Sequence, residues 1–267
     1  MNDNLSNIHL SKDEFQEYGY RLVDWLAEYF DNVGQYEVLP SMEPGDIRNM
    51  LPVSAPERAE SMDEIIADLD RVVMPGMAHW QHPGWYAFFP SGASPVSALG
   101  EFVAAGLATQ GMMWSTAPAA TEIENTVLDW LVDLLGLPSS WRLDEGPGGG
   151  VIQMSASDST HLSLAVARHQ FELSGADANS LVAYGSSQAH SSIEKGARIA
   201  GFKHIRSVPV TQTFGIDTDA FIRIVRDDID SGLIPAWVCS AVGTTNTTAK
   251  DPIRAIAAIA AENGMWH

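Results

Sequence analysis

Three stretches hold side chains able to bind or react. The first is GGGVIQMSASDSTHLSLAVARHQ, residues 148–170: bare glycine backbone, an apolar triplet, small hydroxyl residues, then a helical pattern. A helix starting near Ala156-Ser157-Asp158 offers unpaired N–H groups and the positive end of its dipole, which suits a phosphate, and the Ser157 hydroxyl adds a donor. Ser157 also has a plainer reading, as the cap of that helix. The glycines precede the apolar run, whereas a dinucleotide fingerprint follows a strand, and no Gly-Lys-Ser/Thr marks a P-loop.

The second stretch is LVAYGSSQAHSSIEKGARIAG, residues 181–201. A strand ending near Tyr184 puts His190 in the loop beyond the C-terminal edge of a parallel sheet, where ligands of open α/β folds bind. An imidazole there can stack on a planar ring or shuttle protons, and taken alone it is also an ordinary loop histidine. Lys195 offers an amine for a Schiff base, yet it falls about a turn into the next helix, where a solvated or ion-paired side chain is the simpler account. The third stretch, HWQHPGWYAFFPSGASP at 79–95, spaces His79 and His82 as H-x-x-H. Pro83-Gly84 follow at once and work against helical presentation of a metal pair, so aromatic loop packing is expected and no metal. No Gly-x-Ser-x-Gly elbow supplies a hydrolase nucleophile.

The elements that must position these groups change character along the chain. Ser11-Lys-Asp-Glu14 is a capping box, and Phe15, Tyr18, Leu22, Trp25, Tyr29 and Val33 follow at helical spacing until Gly34. Packing within the chain and a dimer partner are both open as the cover for this aromatic face. Prolines at 40, 44, 52 and 56 predict an extended arm over 35–58, then a short helix from Ser61 to Val73. Helices are predicted at 95–110 and 118–135. From Val151, apolar runs (151–154, 181–184, 204–210, 234–242) alternate with helical patterns (157–173, 190–200, 218–230, 251–263), with Asp251-Pro252 read as N-cap and first helical residue. That alternation predicts an α/β domain whose mainly parallel sheet is covered on both faces. A further strand should begin at Gly264-Met-Trp-His267.

Composition narrows the class. The chain has 267 residues with 34 Asp and Glu against 15 Lys and Arg, a surface that repels phosphate backbones and anionic lipid, so neither nucleic acid nor membrane is an expected partner. Cys239 is the single cysteine, which excludes a disulfide framework; no basic-apolar leader and no 18-residue apolar run are present. A cytoplasmic location is expected.

Five segments in order carry a resemblance: HWQHPGWYAFFPSGASP, GMMWSTAPAATEIENTVLDWLVDLLGLP, GGGVIQMSASDST, LVAYGSSQAHSSIEKGARIAG and GLIPAWVCSAVGTTNTTAKDPI. Together they make the chain similar to the N-terminal and central parts of the pyridoxal-phosphate-dependent group II amino-acid decarboxylases, especially those acting on aromatic L-amino acids. The resemblance implies a fold-type I, aspartate-aminotransferase-like large domain over 93–267, incomplete at its C-terminal side. It also implies a helical and extended segment over 1–92 that wraps a homodimer partner. The implied cofactor is pyridoxal 5′-phosphate (PLP), its phosphate held at Ser155, Ala156 and Ser157, its ring stacked on by His190, with Thr245 close by. Ser91 matches the position near the substrate carboxylate, and Trp80, Phe88, Phe89 and Pro90 match the side-chain pocket. Met112 and Phe88 stand where animal aromatic decarboxylases commonly have phenylalanine and tyrosine, which keeps the pocket apolar and leaves the exact substrate open.

The resemblance further implies a lysine that carries the cofactor, in an N-P-H-K segment, and an aspartate in an H-x-D segment that pairs with the ring nitrogen. N-P-H-K does not occur here, and H-x-D would be read from His267. None of Lys12, Lys195, Lys203 and Lys250 matches the cofactor lysine, so the missing groups are expected on a C-terminal part, on the same or a separate chain. The expected reaction is decarboxylation of an aromatic L-amino acid to its amine. Decarboxylation of histidine or glutamate, oxidative deamination to an aldehyde, and an inert fragment are the alternatives.

Overall fold

The computed structural model describes residues 9–89 and 92–267, in two units, one running to Thr109 and the other from Gln110 to His267. The first unit is built from locally specified helices. Helix α1 (Lys12–Asn32) starts on the expected capping box: Ser11 Oγ accepts from the Glu14 amide at 3.2 Å, and the Glu14 carboxylate accepts from the Ser11 amide at 2.8 Å. The proline-rich arm contains one helical turn that its composition argued against, α2 (Asp46–Met50). It fits because it lies between Pro44 and Pro52 and ends one residue before the restricted Leu51-Pro52 pair. Helix α3 (Met62–Asp68) repeats the capping box with Ser61 and Glu64 and runs on as a π turn over Leu69–Val73. Helix α4 (Pro95–Leu107) has Ser94 as cap and Pro95 in its first turn.

The aromatic face of α1 divides. Trp25 donates to Asp70 at 2.9 Å, and Tyr29 packs on Tyr36 and His79, so this part is covered by the chain itself. Phe15 stacks on Phe102 of α4 at 6.1 Å, and Leu22, Leu26, Phe30, Ala98 and Leu99 line an open groove of about 330 Å³ between the two helices.

In the second unit, α5 (Pro118–Leu135) ends at Gly136, whose φ of 65° is the left-handed value that terminates a helix. Residues 151–154, expected as a strand, form none. Val151, Ile152 and Met154 are exposed, and no described strand lies beside them to take their backbone hydrogen bonds. After α6 (Ala156–Leu173) the alternation holds: β1 (Leu181–Ser186), α7 (Ser192–Ile199), β2 (His204–Val208), α8 (Thr218–Asp230), β3 (Ile234–Val238), α9 (Ile253–Glu262). The three strands are parallel in the order β2-β1-β3, with Val182 opposite His204 and Leu181 opposite Ile234. The ladder to β3 shifts register beside Pro235, which has no amide hydrogen to donate.

Alternate residues of β1 serve opposite faces, as a doubly covered sheet requires. Leu181 and Ala183 pack with Leu164, Ala167, Ala197 and Phe202, under α6 and α7. Val182 and Tyr184 pack with Phe221, Val225, Ile256 and Ile259, under α8 and α9. Trp266 forms a parallel bridge to Trp237, its amide donating to Ala236 O and its carbonyl accepting from Val238, at the position where a further strand is expected. Among the described residues no helix is long and apolar enough to cross a membrane.

Candidate functional site

The residues expected to hold the cofactor lie at one edge of the second unit's sheet. Helix α6 leads through residues 174–180 into β1 and packs on β3, so its N-terminus lies at the strands' C-terminal edge. The loops after β1 and β3, carrying His190 and Thr245, emerge from that same edge.

The cap of α6 is Ser155. Its hydroxyl accepts from the Asp158 amide at 3.2 Å and lies 2.9 Å from the Asp158 carboxylate. Ser157, the alternative cap in the sequence, is thus not needed for that task. The amides of Ala156 and Ser157, and the Ser157 hydroxyl, have no hydrogen-bond partner among the described residues, and the first intrahelical donor is Ser159. Three unpaired donors and a helix dipole at one helix end fit a dianionic phosphate. The preceding glycines have another role. A Cβ at Gly148 would stand 2.5 Å from Trp141 Cα, and one at Gly146 2.4 Å from the Ser140 carbonyl oxygen, so they let two backbone segments lie against each other.

His190 is exposed in the turn between β1 and α7. Its Nδ1 lies 2.9 Å from Ser192 Oγ and 3.2 Å from the Ser192 amide. A cavity of about 280 Å³ beside it is lined by Ser186, Ser187, Glu194 and Arg198 among others. Lys195 is exposed on α7. Thr245 is exposed at the tip of a loop that closes on itself: Gly243 (φ 91°) and Thr244 both donate to Ala249 O, and Thr248 donates to Thr244 O.

Asp251 secures that loop, a role the sequence did not reveal. It was expected to cap α9, but the residue before that helix is Pro252, with no side-chain cap. Instead the buried Asp251 carboxylate accepts from the Ala241 amide at 2.7 Å and from the Ile216 amide at 2.8 Å, joining two loops. A carboxylate can saturate two distant amides as readily as a helix end, and nothing local distinguishes the two. Burial, and secondarily Asp251, pushes the Cys239 thiol up to about 11, which makes it a poor nucleophile.

In the first unit Trp80 stacks on Trp85 at 4.6 Å and on Phe88 at 5.9 Å. Phe88 and Phe89 are exposed, and Phe88 has a left-handed φ of 57°, a conformation uncommon outside glycine. Pro90 and Ser91 lie outside the described residues. His79 Nδ1 meets the Tyr29 hydroxyl at 3.0 Å, and its ring stacks on Tyr36. His82 Nδ1 accepts from the Gly84 amide at 2.8 Å, and its Nε2 faces Gly34 O. Burial, then the neighbouring His82, lowers the His79 pKa. Met112 belongs to the second unit and is exposed before α5.

Comparison with known proteins bears on this arrangement. The pattern described as "Pyridoxal-dependent decarboxylase conserved domain" matches residues 44–267. An aromatic-L-amino-acid decarboxylase of Catharanthus roseus is 40% identical over 96% of this chain and 52% of its own length. A phenylacetaldehyde synthase of Arabidopsis thaliana is 38% identical over 96% of this chain and 54% of its own. The crystal structure of Oryza sativa TDC with PLP and tryptamine superposes with a TM-score of 0.90 at 36% identity, covering 96% of this chain and 54% of that one. The chain spans about half the length of the curated relatives it matches.

Proposed function

The chain belongs to the pyridoxal-dependent decarboxylase family, and on that premise we propose that it is the cofactor-binding part of a PLP enzyme that decarboxylates an aromatic L-amino acid to its amine. The observation that carries the reading is the α6 N-terminus, with the free amides of Ala156 and Ser157 and the unengaged Ser157 hydroxyl, on the same sheet edge as His190 and Thr245.

Bound PLP supplies the sink for the electron pair left when carbon dioxide departs. The rest falls to the protein. Ala156 and Ser157 hold the phosphate, His190 lies against the ring and fixes its plane, and Thr245 flanks it. By the same resemblance Trp80, Phe88, Phe89, Pro90 and Met112 are assigned to the pocket for the aromatic side chain, and Ser91 to the position near the substrate carboxylate. Residues 1–92 wrap a dimer partner and 93–267 begin the cofactor-binding domain. The lysine that carries PLP and the partner of the ring nitrogen belong to a C-terminal part like that of the relatives, and the enzyme works in the cytoplasm.

Similarity to a phenylacetaldehyde synthase supports a second reading, oxidative deamination to an aldehyde; retention of histidine at 190 favours the amine. The test supplies PLP and the C-terminal part, then offers tyrosine, dopa, tryptophan, histidine and glutamate. An amine from an aromatic substrate, with the borohydride-fixed cofactor on a peptide outside residues 1–267, is expected. Preference for glutamate, or an adduct on Lys195, overturns the reading, and an aldehyde selects the second one.

A further inference from the structure

We infer that Ser192 is a positioning residue for His190: from the first turn of α7 it fixes the tautomer and plane of the imidazole, so that the ring proton sits on Nε2 and points away from Ser192. The inference rests on the reading of His190 as the residue that stacks on the cofactor ring.

The geometry decides the tautomer. The Ser192 amide lies 3.2 Å from His190 Nδ1, and an amide nitrogen can only donate, so Nδ1 presents its lone pair and the neutral ring carries its hydrogen on Nε2. The Ser192 hydroxyl, 2.9 Å from the same nitrogen, then donates as well. It has no other hydrogen-bond partner among the described residues, and Ser192 is only 8% exposed, so the hydroxyl does not exchange this contact for water. Two donors from one residue converge on one ring atom.

The anchor itself is held firmly. A Cβ at Gly185 of β1 would stand 2.8 Å from Ile193 Cγ2, and one at Gly196 would stand 2.6 Å from His161 Cδ2, so both glycines allow α7 to sit tightly on β1 and α6. The Ile193 amide donates to His190 O at 3.1 Å. His190 belongs to an exposed turn, but its ring is tied to a packed helix. A histidine's outer torsion is broad when left free. Ser192 removes that freedom and leaves one nitrogen, Nε2, as the ring's outward donor.

The test is ¹⁵N NMR of the histidine-labelled 267-residue chain without cofactor, at roughly pH 8 so that rings are neutral, with His190 assigned by its loss in His190→Ala. Expected are an unprotonated Nδ1 and a protonated Nε2 at His190. Ser192→Ala keeps the amide donor but loses the hydroxyl, so the two resonances move part of the way toward each other, and Ser192→Thr, which keeps the hydroxyl, restores them. A protonated Nδ1 in the parent chain overturns the inference, as do unchanged resonances in Ser192→Ala. Should Ser192→Ala not fold, the parent and Ser192→Thr spectra decide by the same criterion. The underlying stacking assignment is read separately, by titrating PLP against His190→Ala; undiminished affinity there removes that assignment, whatever the spectra show about Ser192.

Discussion

Gly196 runs so close to His161 that a Cβ on the glycine would stand 2.6 Å from the ring's Cδ2 and 3.0 Å from Leu164 Cδ1. The contact sets how closely α7 approaches α6, and through α7 the position of Ser192 and His190. Leu164 is fully buried, so it and the His161 ring must shift within a filled interior to admit a methyl group. Gly196→Ala is expected to destabilise the chain by about 1–3 kcal/mol, the range for overpacking a filled core. A thermal melt of the variant reads this directly, and an unchanged midpoint contradicts it.

Tyr184 offers a pH test. Its ring is fully buried, and its hydroxyl donates to the Asp228 carboxylate at 2.9 Å; Asp228 also pairs with Arg206. Burial first, then Asp228, raises the tyrosine pKa above its usual value. The native chain therefore keeps a proton that the unfolded chain gives up at about pH 10, and stability falls as pH rises beyond that point. The contribution is whole below that pH and drains away above it. Tyr184→Phe should cost about 1 kcal/mol at neutral pH, yet show a flatter alkaline limb when denaturation midpoints are plotted against pH. Parallel limbs for parent and variant would show that Tyr184 does not govern it.

Asp251 makes a prediction about loop order. Removing its carboxylate strands two amides, the buried one of Ile216 and the half-buried one of Ala241. Asp251→Ala is expected to lose about 2–4 kcal/mol, each lost charge-assisted bond costing about 1–2. Hydrogen exchange should rise at those two amides and across residues 241–250, with β1 still protected. Protection retained at both amides would mean the loops are held otherwise.

Ser157 separates the two roles a serine can have at a helix start. The cap is Ser155, so Ser157→Ala should leave the melting midpoint nearly unchanged and weaken PLP retention by roughly 1–3 kcal/mol. Ser155→Ala should do the reverse, costing about 1 kcal/mol of stability. If Ser157→Ala lowers stability and not cofactor affinity, the phosphate assignment fails.

The residues differ in how openly their sequence context announces them. Helix α8 is legible to its ends, because Asp217 caps it and Phe221 and Val225 repeat on one face. The strands at 181, 204 and 234 announce themselves as short apolar runs between helical patterns. The run at 151–154 has the same composition and forms no strand, because a strand also needs a neighbour, and no local signal supplies one. The turn at 46–50 was hidden by prolines that flank it without entering it. Of the site, the α6 N-terminus and the loop position of His190 follow from the pattern. The division of labour between Ser155 and Ser157, and the service of Asp251 to Ala241 and Ile216, depend on contacts that spacing does not encode.

The strand order carries a consequence for how the chain is made. β1, the first of the three to leave the ribosome, is the central one, and β2 and β3 join it on opposite sides. Each later strand thus meets an edge already in place, and the shorter loop, from Val182 to His204, closes before the longer one from Leu181 to Ile234. A nascent chain stalled after β2 should hold a two-stranded ribbon with α6 and α7 on one face and its other face, Val182 and Tyr184, still bare. Until α8 emerges, that face is where a holding chaperone would bind.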